Sequence, residues 1–177
     1  MSDQAIRDIC ARAPVVPVVV IDEVATAVPL ARALVAGGLT VIEVTLRTPA
    51  APAAIAAIAR AVPEAIVGAG TVLGPDDLAL AIRSGARFGV SPGATPALLD
   101  AVARSKLPFL PGAATASEAM ALLERGFGVQ KFFPAESLGG VGTLKALAGP
   151  LPQVRFCPTG GVGASNAGQY LALANVV

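Results

Sequence analysis

Leu39-Thr40-Val41-Ile42-Glu43-Val44-Thr45, an alanine-rich stretch running to Arg60, and then Ile66-Val67-Gly68-Ala69-Gly70 make up one period of a pattern that fills the chain. Short apolar runs rich in Val, Ile and Phe alternate with longer segments of helical character. Near-continuous apolar strands separated by helices belong to a parallel sheet whose faces are covered by those helices. The other strand candidates begin at Val15 (VVPVVV), Phe88 (FGVS), Pro108 (PFLP), Gly128 (GVQKFF), Val154 (VRFCP) and Val176, so that successive starts are 24, 27, 22, 20, 20, 26 and 22 residues apart. Several intervening segments carry helix-start signals: Asp76-Asp77 after Gly74-Pro75, Ser117 before Glu118, and Ser165-Asn166 before Ala167. A first helix over Asp3 to Ala11 precedes the first strand.

Two architectures accommodate this repeat: an open doubly wound sheet and a closed (β/α)8 barrel. The count favours the barrel, with seven complete units and the first residues of an eighth strand at Asn175-Val176-Val177. The expectation is therefore an α/β chain, a (β/α)8 TIM barrel with an N-terminal helix, forming one domain over residues 1–177. Because the sequence stops where strand eight begins, it reads as shortened from a longer chain, with the last strand and helix missing.

Composition narrows the chemistry. The chain has 177 residues, 54% of them hydrophobic, with 13 basic against 12 acidic side chains, no Trp and one Tyr. Scattered basic residues and so few aromatics offer neither a charged face nor a stacking platform, so no nucleic-acid partner is expected. The mean hydropathy of +0.70 raises the question of a membrane. Much of it is alanine, 37 residues, and the long charge-free stretch from Phe156 is broken by Pro158 and four glycines. No spanning helix is expected. Histidine is absent, which removes imidazole bases and ligands, and Cys10 and Cys157 are too few for a zinc site or a disulfide framework. No metal or other cofactor is expected, and a cytoplasmic protein is the default reading. Carboxylates, three lysines, hydroxyls and glycine loops remain.

Among these, Lys131 stands in the run Val129-Gln130-Lys131-Phe132-Phe133-Pro134 and shares a face with Val129 and Phe133. A lysine within a buried parallel strand either reaches solvent at the strand end or is held as a neutral amine able to form a Schiff base. Lys106 and Lys145 fall at a helix end and within a helical segment and read as solvated. Glu43 shares its face with Val41, Thr45 and Arg47. A plain Glu43–Arg47 ion pair at a strand end is one reading. The other follows from position, because strands two and six of an eight-strand barrel lie opposite each other and their inward side chains meet at the C-terminal end. A carboxylate beside an amine supplies the proton shuttle that imine chemistry needs, and Arg47 at the rim offers a bidentate grip on a carboxylate.

Glycine loops complete the inventory. Gly68-Ala69-Gly70-Thr71-Val72-Leu73-Gly74 imitates a dinucleotide fingerprint, but its third glycine is one position late and Val90 stands where an acid is needed. It reads better as a tight strand exit presenting Thr71. Thr159-Gly160-Gly161 follows strand seven, where barrels commonly bind phosphate through backbone N–H groups; a tight turn is the alternative. Ser91-Pro92-Gly93 and Leu110-Pro111-Gly112 punctuate two further strand ends.

Five stretches together resemble the 2-dehydro-3-deoxy-6-phosphogluconate (KDPG) aldolase family, the class I pyruvate aldolases of the Entner–Doudoroff pathway. They are Gly37 to Thr48 (GGLTVIEVTLRT), Gly68 to Leu73 (GAGTVL), Ser91-Pro92-Gly93, Lys131 to Glu136 (KFFPAE) and Arg155 to Gly161 (RFCPTGG). The resemblance implies a Schiff base on Lys131, general acid/base work by Glu43 and a pyruvate carboxylate bound by Arg47. It also implies a substrate pocket lined by Thr71, Pro92 and Phe133, with Thr159, Gly160 and Gly161 contacting substrate and phosphate. It further implies a metal-free homotrimer whose small-molecule partners are pyruvate and a phosphorylated keto acid. The expected reaction is cleavage of KDPG to pyruvate and glyceraldehyde 3-phosphate, with action on 4-hydroxy-2-oxoglutarate beside it. The rival readings are a phosphogalactonate-type aldolase and a phosphosugar isomerase or epimerase on the same fold. In the family a Gly-Gly-Ser turn after strand eight completes the phosphate site; it is not in this sequence.

Overall fold

The computed structural model describes residues 2–177. Strands and helices alternate throughout. They are α1 (Ser2–Cys10), β1 (Val18–Val19), α2 (Val24–Ala36), β2 (Val41–Thr45), α3 (Ala51–Ala61), β3 (Ile66–Gly70), α4 (Pro75–Arg83), β4 (Gly89–Val90) and α5 (Pro96–Arg104) in the first part. The second part holds β5 (Phe109–Leu110), β6 (Gly112–Ala113), α6 (Ala116–Glu124), β7 (Val129–Phe132), α7 (Gly140–Ala148), β8 (Arg155–Pro158) and α8 (Ala167–Leu171).

All strand pairings are parallel, in the orders β1-β2-β3-β4-β5 and β6-β7-β8. Pro111 separates the two runs. It has no N–H to give to a ladder, so the fifth expected strand appears as two halves, β5 and β6. The sixth and seventh expected strands are thus β7 and β8. The eighth is a single bridge between Val176 and Phe156. The run expected from Val15 narrows to Val18–Val19, directly after Pro17.

Curvature is decided by one distance. On a flat sheet at about 4.8 Å per strand, β2 and β7 would lie roughly 19 Å apart. Their side chains Glu43 and Lys131 instead meet at 3.3 Å. The parallel wall is curled into the expected (β/α)8 arrangement, and strand parity separates two apolar layers. Ile42 and Val44 face outward and pack on α2 and α3 through Ala27, Ala31, Ile55 and Ile58. Val41, Ile66, Val90, Leu110 and Val129 face inward, where Ile6 and Cys10 of α1 close the floor of the barrel. Asp3 accepts the Val129 N–H through Oδ1 at 2.8 Å and pairs with Arg7 through Oδ2 at 2.9 Å, tying that floor helix to the start of β7.

The helices form for local reasons. In α3, Ala51, Ala54, Ile55 and Ile58 are buried at helical spacing among strong helix formers, and Pro63 follows its C-cap Val62. Helix α6 starts at Thr115 rather than at Ser117. Its hydroxyl accepts the Glu118 N–H at 3.2 Å while the Glu118 carboxylate accepts the Thr115 N–H at 2.9 Å, a reciprocal capping box. Among the described residues no helix is long and apolar enough to cross a membrane.

Candidate active site

Strand β2 carries Glu43 inward, level with Val18 of β1 and Gly68 of β3. Strand β7 carries Lys131 inward, level with Gly112 of β6 and Cys157 of β8. Both side chains are buried, at 4% and 5% exposure. Lys131 Nζ donates to Glu43 Oε1 at 3.3 Å. Glu43 therefore pairs across the barrel with Lys131 rather than along its own strand with Arg47, and Lys131 does not escape to solvent. Lys106 and Lys145 are both exposed, as expected. A buried ion pair adds little stability over apolar residues of the same volume. Its place in the wall of a cavity points to chemistry instead.

That cavity has a volume of about 580 Å³ and lies inside the barrel. Glu43, Lys131, Arg47 and Thr71 line it. So do Pro92, Phe133, Thr159 and Gly160. Of the nine residues singled out by sequence, only Gly161 stands back from it. The Phe133 ring lies 5.5 Å from Lys131 Nζ, within cation–π range. Arg47 is exposed at the rim and, among the described residues, makes no ion pair, which leaves its guanidinium available to a ligand. Its loop is held by Thr48, whose hydroxyl donates to the Ile21 carbonyl after β1.

The glycines of the Gly68-Ala69-Gly70 run serve space, not phosphate. A Cβ at Gly68 would strike the Phe88 ring, and one at Gly70 would strike the Glu43 carboxylate. Only glycine at 70 lets Glu43 lean across to Lys131. Gly112 does the same beside Pro92, whose carbonyl occupies the position a side chain would need. Thr71 follows with φ at 61°. A β-branched residue in the left-handed region is under strain of about 1–3 kcal/mol, which native proteins hold chiefly at functional sites. The conformation is clamped on both sides, by Leu46 N–H to Gly70 O at 2.8 Å and Val72 N–H to Val90 O at 3.0 Å.

Cys157 lies on the strand position next to Lys131 and lines the cavity with Cys10. Its hydrogen bond with the Cys10 thiol, and then burial, push the Cys157 thiol well above its ordinary value, so it stays protonated beside the amine. Sequence reasoning assigned no site role to six cavity residues of the last segment: Val162, Ala167, Tyr170, Leu171, Val176 and Val177. Tyr170 was the detectable one, being the sole tyrosine of the chain, but nothing local says where its hydroxyl goes.

A curated "KHG/KDPG aldolase" of Escherichia coli (strain K12) is 56% identical over 164 residues, covering 93% of this chain and 77% of the relative. The solved KDPG aldolase of Zymomonas mobilis ZM4, crystallised with 3-phosphoglycerate, superposes with a TM-score of 0.95 at 47% identity, covering 98% of this chain and 83% of that one. The Legionella pneumophila KDPG aldolase, with pyruvate captured as a covalent carbinolamine, superposes with a TM-score of 0.93 at 48% identity, covering 95% and 82%. The profile of KDPG and KHG aldolases matches residues 6–177, and the chain belongs to that family.

Proposed function

We propose that the protein is a Schiff-base aldolase that cleaves KDPG to pyruvate and glyceraldehyde 3-phosphate and also acts on 4-hydroxy-2-oxoglutarate. The observation that carries this reading is the buried Lys131 amine at 3.3 Å from the Glu43 carboxylate, in the wall of a cavity large enough for a small phosphorylated acid.

In the cycle, Glu43 takes a proton from Lys131, and the free amine attacks the C2 ketone of the substrate. Glu43 returns a proton as the carbinolamine loses water, giving a protonated imine. That cation is the electron sink. Glu43, acting through a water, accepts the C4 hydroxyl proton; C3–C4 breaks, the aldehyde leaves and the electron pair rests in an enamine. Protonation at C3 regenerates the imine, and hydrolysis frees pyruvate and Lys131. Arg47 holds the keto-acid carboxylate, while Thr71, Pro92 and Phe133 shape the pocket around the three-carbon unit. Thr159, Gly160 and Gly161 receive the phosphate end, the two glycines through backbone N–H groups, since the Thr159 N–H is already given to Phe132 O. A phosphosugar isomerase would leave Lys131 idle. A phosphogalactonate-type aldolase differs in its epimer preference, which kcat/KM on the two epimers separates. The scheme calls for no cofactor.

Borohydride reduction in the presence of pyruvate, followed by peptide mass spectrometry, tests the assignment. A reduced pyruvyl adduct is expected on the peptide with Lys131, with Lys106 and Lys145 unmodified as internal controls. An unmodified Lys131 in folded protein refutes the aldolase reading. The chain is further read as one domain over residues 1–177, assembling as the homotrimer that the family resemblance implies and residing in the cytoplasm. Light scattering after size exclusion checks the assembly, and cell fractionation the compartment.

A further inference from the structure

The phosphate end of the site is built from the loop that leaves β8, where the strand ladder ends with the Thr159 N–H donating to Phe132 O at 2.9 Å. Thr159, Gly160 and Gly161 follow β8, and both glycines have positive φ, 100° and 77°. What fixes them is the neighbouring loop after β7. The Ala135 N–H donates to Thr159 O at 2.8 Å and the Glu136 N–H to Gly160 O at 3.1 Å. Side chains could not be fitted at either glycine. A Cβ at Gly160 would stand 3.2 Å from Pro134 Cα, and one at Gly161 would stand 2.6 Å from Glu136 Cγ. The stem of Glu136 is thus pressed against Gly161.

Beyond that contact the Glu136 carboxylate runs to Tyr170 of α8, whose hydroxyl donates to Glu136 Oε1. Tyr170 is buried, and its hydroxyl takes this carboxylate as its acceptor. Gly140 leaves room for the meeting, since a Cβ there would lie 2.8 Å from both Glu136 Oε1 and the Tyr170 oxygen. On the other flank, Asn166 Nδ2 donates to Gly161 O at 3.0 Å. Burial, then the hydrogen bond to and the charge of Glu136, push the Tyr170 phenol up to about 12, so it remains a donor across the physiological range.

We infer that Tyr170 and Glu136 are positioning residues for phosphate recognition. Their hydrogen bond holds Glu136 against Gly161 and so fixes the direction of the loop N–H groups, and it sets how strongly the enzyme prefers a phosphorylated substrate. The inference rests on the aldolase reading and on the phosphate role of the loop.

Steady-state kinetics on KDPG and on unphosphorylated 4-hydroxy-2-oxoglutarate test it with Y170F, E136A and E136Q. For Y170F and E136A, the KM for KDPG is expected to rise about tenfold, the loss of one hydrogen bond to a charged group, with kcat retained. The kcat/KM on 4-hydroxy-2-oxoglutarate is expected to change by less than about twofold, since that substrate never reaches the loop. E136Q keeps an acceptor for the phenol and is expected to restore the preference that E136A loses. Glu136 is exposed, so its variants carry the test even where Y170F folds poorly. Equal losses on both substrates, or an unchanged KM for KDPG in E136A, overturn the inference while leaving the aldolase reading intact. A wild-type enzyme with no preference for the phosphorylated substrate overturns both the inference and the phosphate role of the loop.

Discussion

The two ends of the cavity are built by opposite means. At the strand-built base, above the floor residues of α1, Glu43 and Lys131 project from five-residue and four-residue strands buried on both faces, and the opposing wall positions them without help from any loop. At the far end, Thr159 to Gly161 lie on a partly exposed loop whose shape depends on a second loop and on a hydrogen bond from a short helix. Bond-making groups must keep sub-ångström geometry, and strands supply it. Substrate-selecting groups need only present N–H donors, which a latched loop can do. The comparison predicts that changes at the base strike kcat on all substrates, whereas changes at the far end strike KM for the phosphorylated one.

The largest effect is expected from K131A, which removes the nucleophile and should lower kcat by about 10⁴-fold or more on either substrate. Residual turnover above that floor, or an effect confined to KDPG, would break the division between the ends. Next comes E43Q. Losing a positioned general acid and base is expected to slow turnover by about 10²–10⁴-fold while pyruvate still binds. Pyruvate protection against thermal unfolding separates binding from chemistry here, and full activity in E43Q would remove Glu43 from the scheme. Arg47 lies between the extremes, being on the rim yet assigned to the keto-acid end in the proposed scheme. R47A should raise KM for both substrates by about 10–100-fold, the value of a charge-assisted hydrogen bond, because both carry that carboxylate. A KM increase for KDPG alone would move Arg47 to the phosphate end.

The same contrast governs what could be read in the sequence. Strand parity and the ordinal count of strands put Lys131 and Glu43 within reach of each other, while the choice of that pairing over a solvent-reaching lysine and a Glu43–Arg47 pair came from the family resemblance. The first helix was legible over Asp3 to Ala11, but its seat on the barrel floor was not. Leu110-Pro111-Gly112 reads as the end of the fifth strand, yet pairing resumes at Gly112–Ala113, because the proline removes one ladder donor without turning the chain away from β7. The Gly68–Gly70 glycines were seen, yet their reason lies in Phe88 and in Glu43, residues that only the fold brings against them. Glu136 and Tyr170 are 34 positions apart on a turn and a short helix. No periodicity connects them, so the latch could not be derived before the loops were placed.

The smallest expected effect sharpens the comparison from the side of the loop. The Tyr170 phenol is pushed up to about 12 in the folded protein by its burial and by Glu136, against about 10 in an unfolded chain. A raised value favours the protonated phenol in the folded state. Its contribution to stability is therefore fully present below about pH 10 and is lost as pH climbs from there toward 12. In that window the unfolded chain binds fewer protons than the folded one, so stability falls as pH rises. Y170F has no proton to lose there. Cys157, whose thiol is also pushed up, titrates in both proteins and cancels from the difference. Melting curves of wild type and Y170F should thus run parallel from about pH 7 to 9 and converge above about pH 10, where the wild type loses its phenol-dependent share. Parallel curves through the whole alkaline range would mean that the buried phenol is not held by Glu136, and the far end of the cavity would need another anchor.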